Sequence, residues 1–162
     1  EEAKALALKC NFNLMVEKVL VAKSLRKIAK DMKIPIIIFE GGESNKLDPF
    51  SIQQGLKLIR ELLFKSNMLD QGSKPQGIRR LFRKASWERA HEGGIVSYRR
   101  ESGNFVSKGE LLAIISDPFA QKETRMHASK DAFILSHNNA PLVNVGDGMF
   151  HLAYEEEKYA IL

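Results

Sequence analysis

The residues whose types and positions most clearly suggest a chemical role are Glu40, Gly41 and Gly42. They directly follow an apolar run over residues 34–39. The run is rich in isoleucine and predicts a strand buried on both faces of a parallel sheet. Because ligands of open α/β sheets bind beyond the carboxyl ends of the strands, Glu40 is predicted to lie at a ligand site. The glycines let the backbone turn sharply and a ligand approach closely. The pattern indicates a general base; the alternative is that Glu40 caps the following helix.

Glu43 is the competing carboxylate, three residues further along the chain. It falls within a predicted loop over residues 41–46, where we expect it to be exposed. Glu40 is the preferred candidate because it directly follows the predicted strand.

Helices are predicted on both sides of this strand. A helical pattern opens the chain, and a second helix is predicted at residues 25–32 with Ser24 as its N-cap. The pair Asp48 and Pro49 predicts the start of a longer helix, whose apolar positions keep helical spacing to about Met68. Strand and helix alternation of this kind is typical of the α/β class.

The C-terminal half has a different pattern. A polar, glycine-containing linker is predicted at residues 70–79, and after Trp87 short apolar segments alternate with glycine turns, which is typical of all-β structure. Residues 105–112 resemble residues 142–150: each copy has a valine, two spacers, a glycine, an acid and an apolar segment. The glycine is expected to adopt a positive φ, and the carboxylate of the acid is expected to accept hydrogen bonds from backbone N–H groups of the turn.

Two interlocking copies of such a unit resemble the barrel-sandwich hybrid of biotinyl and lipoyl carrier domains. Carriers present a modified lysine at the hairpin tip after the first copy. Here the tip, residues 115–120, contains no lysine, and Lys122 and Lys130 lack the flanking pattern. We therefore expect the carrier fold without its cofactor.

Composition limits the class of protein. The chain has 162 residues, of which 44% are hydrophobic and 28% charged, as in an ordinary globular protein of one domain or two small ones. Its apolar runs are far shorter than the ~20 residues that span a bilayer, so we expect no membrane partner. A single cysteine, Cys10, excludes an internal disulfide and favours a cytoplasmic location; its apolar surroundings predict a core residue.

The net charge of +5 gathers in two basic patches, at residues 23–33 and 74–89. Such patches suit nucleic acid or an anionic substrate, but we interpret both as solvated helix faces. Aromatic residues make up only 8% of the chain, so nucleic acid is not an expected partner.

Taken together, the chain resembles the C-terminal half of the succinylglutamate desuccinylase/aspartoacylase family, whose members are zinc-dependent amidohydrolases related to zinc carboxypeptidases. The resemblance is carried by an apolar strand entered through a proline, Glu-x-Gly, a Leu-Asp-Pro helix start and a Met-Leu near the helix end. A tryptophan, an arginine, an alanine and two glycines then open the family's β-domain. The matching residues here are Pro35, Glu40–Gly42, Leu47–Pro49, Met68, Leu69, Trp87, Arg89, Ala90, Gly93 and Gly94.

The resemblance implies a role for two residues. The family's glutamate at the strand end is the general base that activates a zinc-bound water, and this role falls on Glu40. An arginine in a run like Arg26–Lys30 binds a substrate carboxylate in aspartoacylase-like members, which implies that role for Arg26. The alternative is that Arg26 is a solvated arginine on a basic helix.

The resemblance also implies that the metal ligands lie outside this chain. The family's H-x-x-E motif and later histidine precede the matched region, and the chain opens at Glu1 in what resembles the middle of a domain. The four histidines here, His91, His127, His137 and His151, lack ligand spacing. We therefore expect the C-terminal piece of a longer zinc protein, inactive alone.

The sequence thus predicts the C-terminal part of an α/β zinc-hydrolase-like domain at residues 1–79 and a barrel-sandwich β-domain at residues 80–162. The function implied is hydrolysis of the amide of an N-acyl amino acid or similar small molecule, in the cytoplasm, with a homo-oligomer as a candidate assembly. The alternative is a non-catalytic binding or oligomerisation module.

Overall fold

A computed structural model describes residues 2–10, 12–43, 46–72, 78–119 and 121–159. These residues form helices α1 (Glu2–Lys9), α2 (Leu25–Asp31) and α3 (Pro49–Lys65), and strands β1 (Leu14–Val16), β2 (Arg79–Arg89), β3 (Gly94–Tyr98), β4 (Phe105–Val106), β5 (Leu111–Ser116), β6 (Glu123–His127), β7 (Ala132–His137), β8 (Leu142–Val143) and β9 (Gly148–Tyr159). The chain divides into a helical unit (residues 1–15, 19–81 and 158–162) and a β unit (residues 16–18 and 82–157).

The helices of the helical unit begin where local signals place them. Ser24 caps α2, its side chain accepting a hydrogen bond from the Lys27 N–H. Asp48 caps α3 by accepting the Ser51 N–H at 3.0 Å, and Pro49 occupies the first turn. Both predicted starts are confirmed. Helix α3 ends at Lys65, three residues before the predicted end, because Asn67 has a left-handed φ of 58° that a helix cannot accommodate.

The predicted strand over residues 34–39 is wrong for the part of the chain that the structure describes, where these residues form no strand. Ile34 and Ile38 are each 51% exposed, although the prediction buried both faces of this segment. An apolar run becomes an inner strand only when neighbouring strands satisfy its N–H and C=O groups. None of the described strands pairs with this segment.

The strands form two sheets. One has the order β1-β2-β9-β7-β4 and the other β6-β5-β3-β8. Strand β2 already begins at Arg79, whereas the sequence predicted strands only after Trp87. It also carries most of the second basic patch, so the predicted helix face is wrong there. Arg83 and Lys84 form ion pairs with Glu157 and Glu155 of β9, respectively. These cross-strand pairs stabilise charged residues within a strand.

The two repeat copies of the β unit pair reciprocally. Strand β4 of the first copy pairs with β7, the strand before the second copy, and β8 of the second copy pairs with β3, the strand before the first. The turns that follow β4 and β8 form reciprocal backbone hydrogen bonds as well. The Gly109 N–H donates to the Ala128 carbonyl, and the Gly146 N–H donates to the Ala90 carbonyl, each at 2.8 Å.

The repeat turns have the predicted chemistry. Gly109 and Gly146 have φ of 84° and 89°. The carboxylate of Glu110 accepts the Ser107 N–H at 2.8 Å, and Asp147 accepts the N–H three residues before it at 2.8 Å. The Ser107 N–H, followed by the Arg100 guanidinium, lowers the pKa of Glu110. Each acid holds its turn closed by accepting this backbone hydrogen bond.

Apolar side chains fill the interior of the β unit. Most of its buried core residues come from the two repeat copies and from β5, β6, β7 and β9, and Tyr98 and Val96 pack against them. The largest fully buried side chains of this unit are those of Phe82, Phe150, Leu112, Ile134, Met149 and Leu152. In the helical unit, Cys10 is 1% exposed and burial raises the pKa of its thiol, which confirms the prediction of a core residue.

Candidate functional site

A groove of about 390 Å³ lies in the helical unit beside Glu40. One wall is formed by residues 39, 41–43 and 46–48, and the other by the N-terminal half of α3. The lining of the groove is mostly apolar. The lining side chains of α3 are Ser51, Ile52, Leu56 and Ile59.

The ring of Phe39 fixes the position of the backbone next to Glu40. It packs edge-on against Phe12, with ring centroids 5.5 Å apart. A Cβ built on Gly55 of α3 would lie 3.3 Å from this ring, and one on Gly41 would lie 2.9 Å from it. The absence of side chains at Gly41 and Gly55 therefore lets the ring seat between the loop and the helix.

Glu40 is exposed and lies just outside the groove lining. The backbone turns directly after it, where Gly42 has a φ of 82°, as the glycine pair predicted. The alternative that Glu40 caps α3 is wrong, because the capping carboxylate is that of Asp48. The role of Glu40 as a base stays a prediction.

Glu43, the competing carboxylate, does line the groove. It is exposed as expected, and its Oε2 lies 2.9 Å from the Nζ of Lys46. An exposed pair of this kind contributes little stability. Its charge is balanced locally, whereas the structure describes no ion pair for Glu40.

Asp48 is a second charge at the groove. Its carboxylate accepts hydrogen bonds from the hydroxyl and the N–H of Ser51, and these bonds lower its pKa, the hydroxyl contributing most. The sequence singled out Asp48 only as a helix cap. Only the fold makes it and Ser51 part of a groove wall, and no sequence signal marked Ser51.

Arg26 lies in the first turn of α2, half-buried. It is not among the residues that line the groove. The structure therefore leaves Glu40 and Arg26 on separate segments of the helical unit, and the substrate-binding role of Arg26 stays a prediction.

The four histidines all lie in the β unit, as predicted, and are engaged in other contacts or exposed. His137 accepts the N–H of Ser102 at its Nδ1, 3.1 Å away. His151 stacks on Trp87 with ring centroids 4.7 Å apart, and its Nε2 lies 2.9 Å from the Nζ of Lys18. Sequence analysis placed Trp87 at the opening of the β-domain but missed this stack, because Trp87 and His151 are distant in the chain.

No group of three His, Cys, Asp or Glu side chains able to hold a metal ion occurs among the residues that the structure describes. The described residues thus do not fit a zinc ion on their own. Nor does any helix within the described ranges have the length and apolar character needed to cross a membrane.

Comparison with known proteins rests on structure, since neither a protein-family model nor a curated protein sequence matches the chain. The apo ectoine utilization protein EutE (DoeB) from Ruegeria pomeroyi matches with a TM-score of 0.81 and 18% identity, over 92% of this chain and 49% of that chain. Its product-bound form has the same TM-score at 17% identity, over 94% and 48%.

Two further structures carry the family description. A succinylglutamate desuccinylase from a Silicibacter species has a TM-score of 0.78 at 12% identity, over 94% of this chain and 49% of that chain. A succinylglutamate desuccinylase/aspartoacylase from Rhodobacter sphaeroides has a TM-score of 0.77 at 14% identity, over the same two shares. The chain spans about half the length of the solved structures that it matches. It has the mixed α/β fold of the C-terminal half of the succinylglutamate desuccinylase/aspartoacylase proteins, as its sequence predicts.

Proposed function

We propose that this chain is the C-terminal portion of a deacylase that hydrolyses the amide of an N-acyl amino acid or a similar small molecule. The observation that carries the proposal is the match of nearly the whole chain to desuccinylase structures, with Glu40 beside an apolar groove. That such proteins act on small amides is carried over from their family description to this chain as a proposal.

Glu40 is the proposed general base. Its carboxylate takes a proton from the attacking water as the new C–O bond forms, and it returns the proton to the amine as the C–N bond breaks. Its exposure gives water access to the carboxylate, and the packed ring of Phe39 holds the adjoining backbone in place. The apolar groove beside it suits the apolar part of an acyl group or side chain.

Zinc is the proposed cofactor of the complete protein. The described residues offer no ligand set for it, so its ligands are expected outside them, and no step is derived through the metal here. The proposal accordingly predicts that residues 1–162 alone are inactive.

Arg26 is the proposed contact for a substrate carboxylate. A guanidinium can form two parallel hydrogen bonds to a carboxylate, and partial burial of Arg26 would strengthen them relative to a fully solvated arginine. The distance from α2 to Glu40 in the complete protein decides which substrates could reach both.

For the β unit we propose the barrel-sandwich hybrid fold. The support is the reciprocal pairing of β4 with β7 and of β8 with β3. A carrier role is not favoured, because the lysine nearest the tip, Lys122, forms an ion pair with Glu92 at 2.6 Å. An oligomerisation role for this unit, and a cytoplasmic homo-oligomer, remain predictions.

The test compares Glu40→Gln with Glu43→Gln in the complete protein. Glu43 is the matched control because it is an exposed carboxylate at the same groove. We expect Glu40→Gln to lower kcat by about 10²–10⁴-fold on N-acyl amino acids with the bound zinc content unchanged, and Glu43→Gln to leave kcat within a few-fold of the wild type. Full turnover by the Glu40 variant would refute its assignment as the base. An inactive wild type that binds no zinc would favour the binding module instead.

A further inference from the structure

The turn before β4 places a serine hydroxyl against a histidine ring of the β unit. The Oγ of Ser102 lies 2.7 Å from the Nδ1 of His137, and the backbone N–H of Ser102 donates to the same nitrogen at 3.1 Å. Because a backbone N–H can only donate, Nδ1 carries a lone pair, and the ring proton of the neutral imidazole is on Nε2. The hydroxyl proton of Ser102 therefore points at a base.

Aromatic packing holds the His137 ring in this orientation. The ring stacks on Phe150 at an interplanar angle of 18°, with centroids 6.1 Å apart, and the ring of Tyr98 packs against it edge-on at 5.5 Å. Phe150 is fully buried, and the hydroxyl of Tyr98 donates to the Ala140 carbonyl at 3.2 Å. Since both supporting rings are themselves held in place, the imidazole keeps Nδ1 directed at Ser102.

Backbone hydrogen bonds hold the serine as well. The turn at residues 101–104 is joined to β7 twice: the Gly103 N–H donates to the Ile134 carbonyl at 2.8 Å, and the Ile134 N–H donates to the Asn104 carbonyl at 2.9 Å. Gly103 has a φ of 92°, which glycine adopts without steric cost. Ser102 is exposed, so this positioned hydroxyl is open to reagents from solvent.

A hydroxyl within about 2.6–3.2 Å of a base that a third group orients is the arrangement of an activated serine. We propose that Ser102 is a nucleophile, with His137 as its general base, and that it takes the acyl group of an activated ester such as an aryl ester. Its Oγ bonds to the carbonyl carbon as the hydroxyl proton moves to Nδ1 of His137, and the bond from that carbon to the aryl oxygen breaks. The imidazolium gives its proton to the departing aryl oxide, so a phenol leaves and Ser102 carries the ester.

The turn also limits the substrate to esters with a good leaving group. Backbone N–H groups next to a nucleophile stabilise the oxyanion of the transition state when they are free to donate to it. In residues 101–104 all four N–H groups already donate within the protein. A base alone contributes about 10²–10⁴-fold, which is too little for an unactivated amide. The reaction involves neither Glu40 nor Arg26, so it lies beyond the proposed deacylase activity.

The test is acetylation of the complete protein by p-nitrophenyl acetate, followed over time by peptide mass spectrometry. Ser107 is the matched internal control, because it is an exposed serine of the same unit whose N–H is bonded to the carboxylate of Glu110. We expect the Ser102 hydroxyl to be acetylated more than about 10-fold faster than that of Ser107. A smaller ratio would overturn the proposal and leave the Ser102 hydroxyl with a structural hydrogen bond only.

A variant separates the base from the position of the serine. His137→Phe removes the imidazole and keeps an aromatic ring to pack against Tyr98 and Phe150, so acetylation of Ser102 should fall to within a few-fold of that of Ser107. Acetylation as fast as in the wild type would refute the role of His137. The comparison of the two serines within the wild-type protein needs no variant, so it decides the proposal even if His137→Phe does not fold.

Discussion

Gly94 at the start of β3 is the position where a single methyl group should do most damage. A Cβ added there would lie 2.4 Å from the carbonyl oxygen of Ser116 on β5, and 3.0 Å from a methyl group of Ile115. The nearest atom belongs to the backbone of a neighbouring strand, so no side-chain rotation relieves the clash. Gly94 also pairs with Val143 on β8, which limits movement in the opposite direction.

The magnitude follows from the distances. Ordinary contact begins at 3.4 Å, so β3 and β5 must separate locally by about 1 Å. Overpacking of this size costs about 1–3 kcal/mol, and each hydrogen bond weakened between the strands adds about 0.5–1.5 kcal/mol. We expect Gly94→Ala to lower the free energy of unfolding of the β unit by about 3 kcal/mol, which for a unit of about 80 residues lowers Tm by about 12–24 °C.

The assay can report on the β unit alone, because Trp87 is the single tryptophan of the chain and lies in that unit. Denaturant unfolding followed by tryptophan fluorescence gives the loss directly. Gly93→Ala is the matched control: its Cβ would lie 3.3 Å from the Val143 carbonyl oxygen, which needs a shift of only about 0.1 Å, and it should cost less than about 1 kcal/mol.

Equal stability of the Gly94→Ala and Gly93→Ala proteins would refute the reasoning. It would mean either that β3 and β5 are not paired in the register that aligns Ile95 with Ser116, or that the sheet absorbs the methyl group without strain. Amide exchange of β3 and β5 would separate these two explanations.

Three further predictions concern other parts of the chain. Asp48→Ala should remove the cap of α3 and lower the free energy of unfolding by about 1 kcal/mol, measured by thermal unfolding in circular dichroism. Asp48→Ser should retain most of the stability, because serine also caps helices. Equal losses in the two variants would contradict a capping role. Folding lowers the pKa of Glu110, so its contribution to stability is present above the ordinary glutamate pKa of about 4.3 and is lost as pH falls through the lowered value. Glu110→Gln should therefore reduce the fall in Tm between about pH 5 and 3. An unchanged dependence of Tm on pH would exclude a contribution of Glu110 to acid sensitivity. Gly148→Ala places a Cβ 2.9 Å from the ring of Trp87. Because Trp87 is 44% exposed, its ring has solvent to move into, away from its stack on His151. Trp87 emission should therefore change with a stability loss below about 1 kcal/mol, and a loss as large as that of Gly94→Ala would show that the ring cannot move.

The sequence determined the features whose causes lie within a few residues. Ser24 and Asp48 cap their helices because the bonded N–H groups are three residues away. Gly109 and Gly146 form the repeat turns because glycine adopts a positive φ without the steric cost of a side chain. The family resemblance was also readable from the order of short motifs, and the solved structures bear it out at the level of fold.

Tertiary structure alone decided whether the apolar run at residues 34–39 becomes a strand. Apolar periodicity states that a segment prefers burial, but a strand forms only when another segment supplies hydrogen-bond partners, and none of the described residues does so. The same reason applies to β2, where charged residues hid a strand that cross-strand acids such as Glu157 stabilise. The position of the Phe39 ring likewise depends on a distant residue. The ring packs between Gly41 and Gly55, which are 14 residues apart along the chain. Contacts between distant residues carry no signal in a single sequence, and these contacts build the groove beside Glu40.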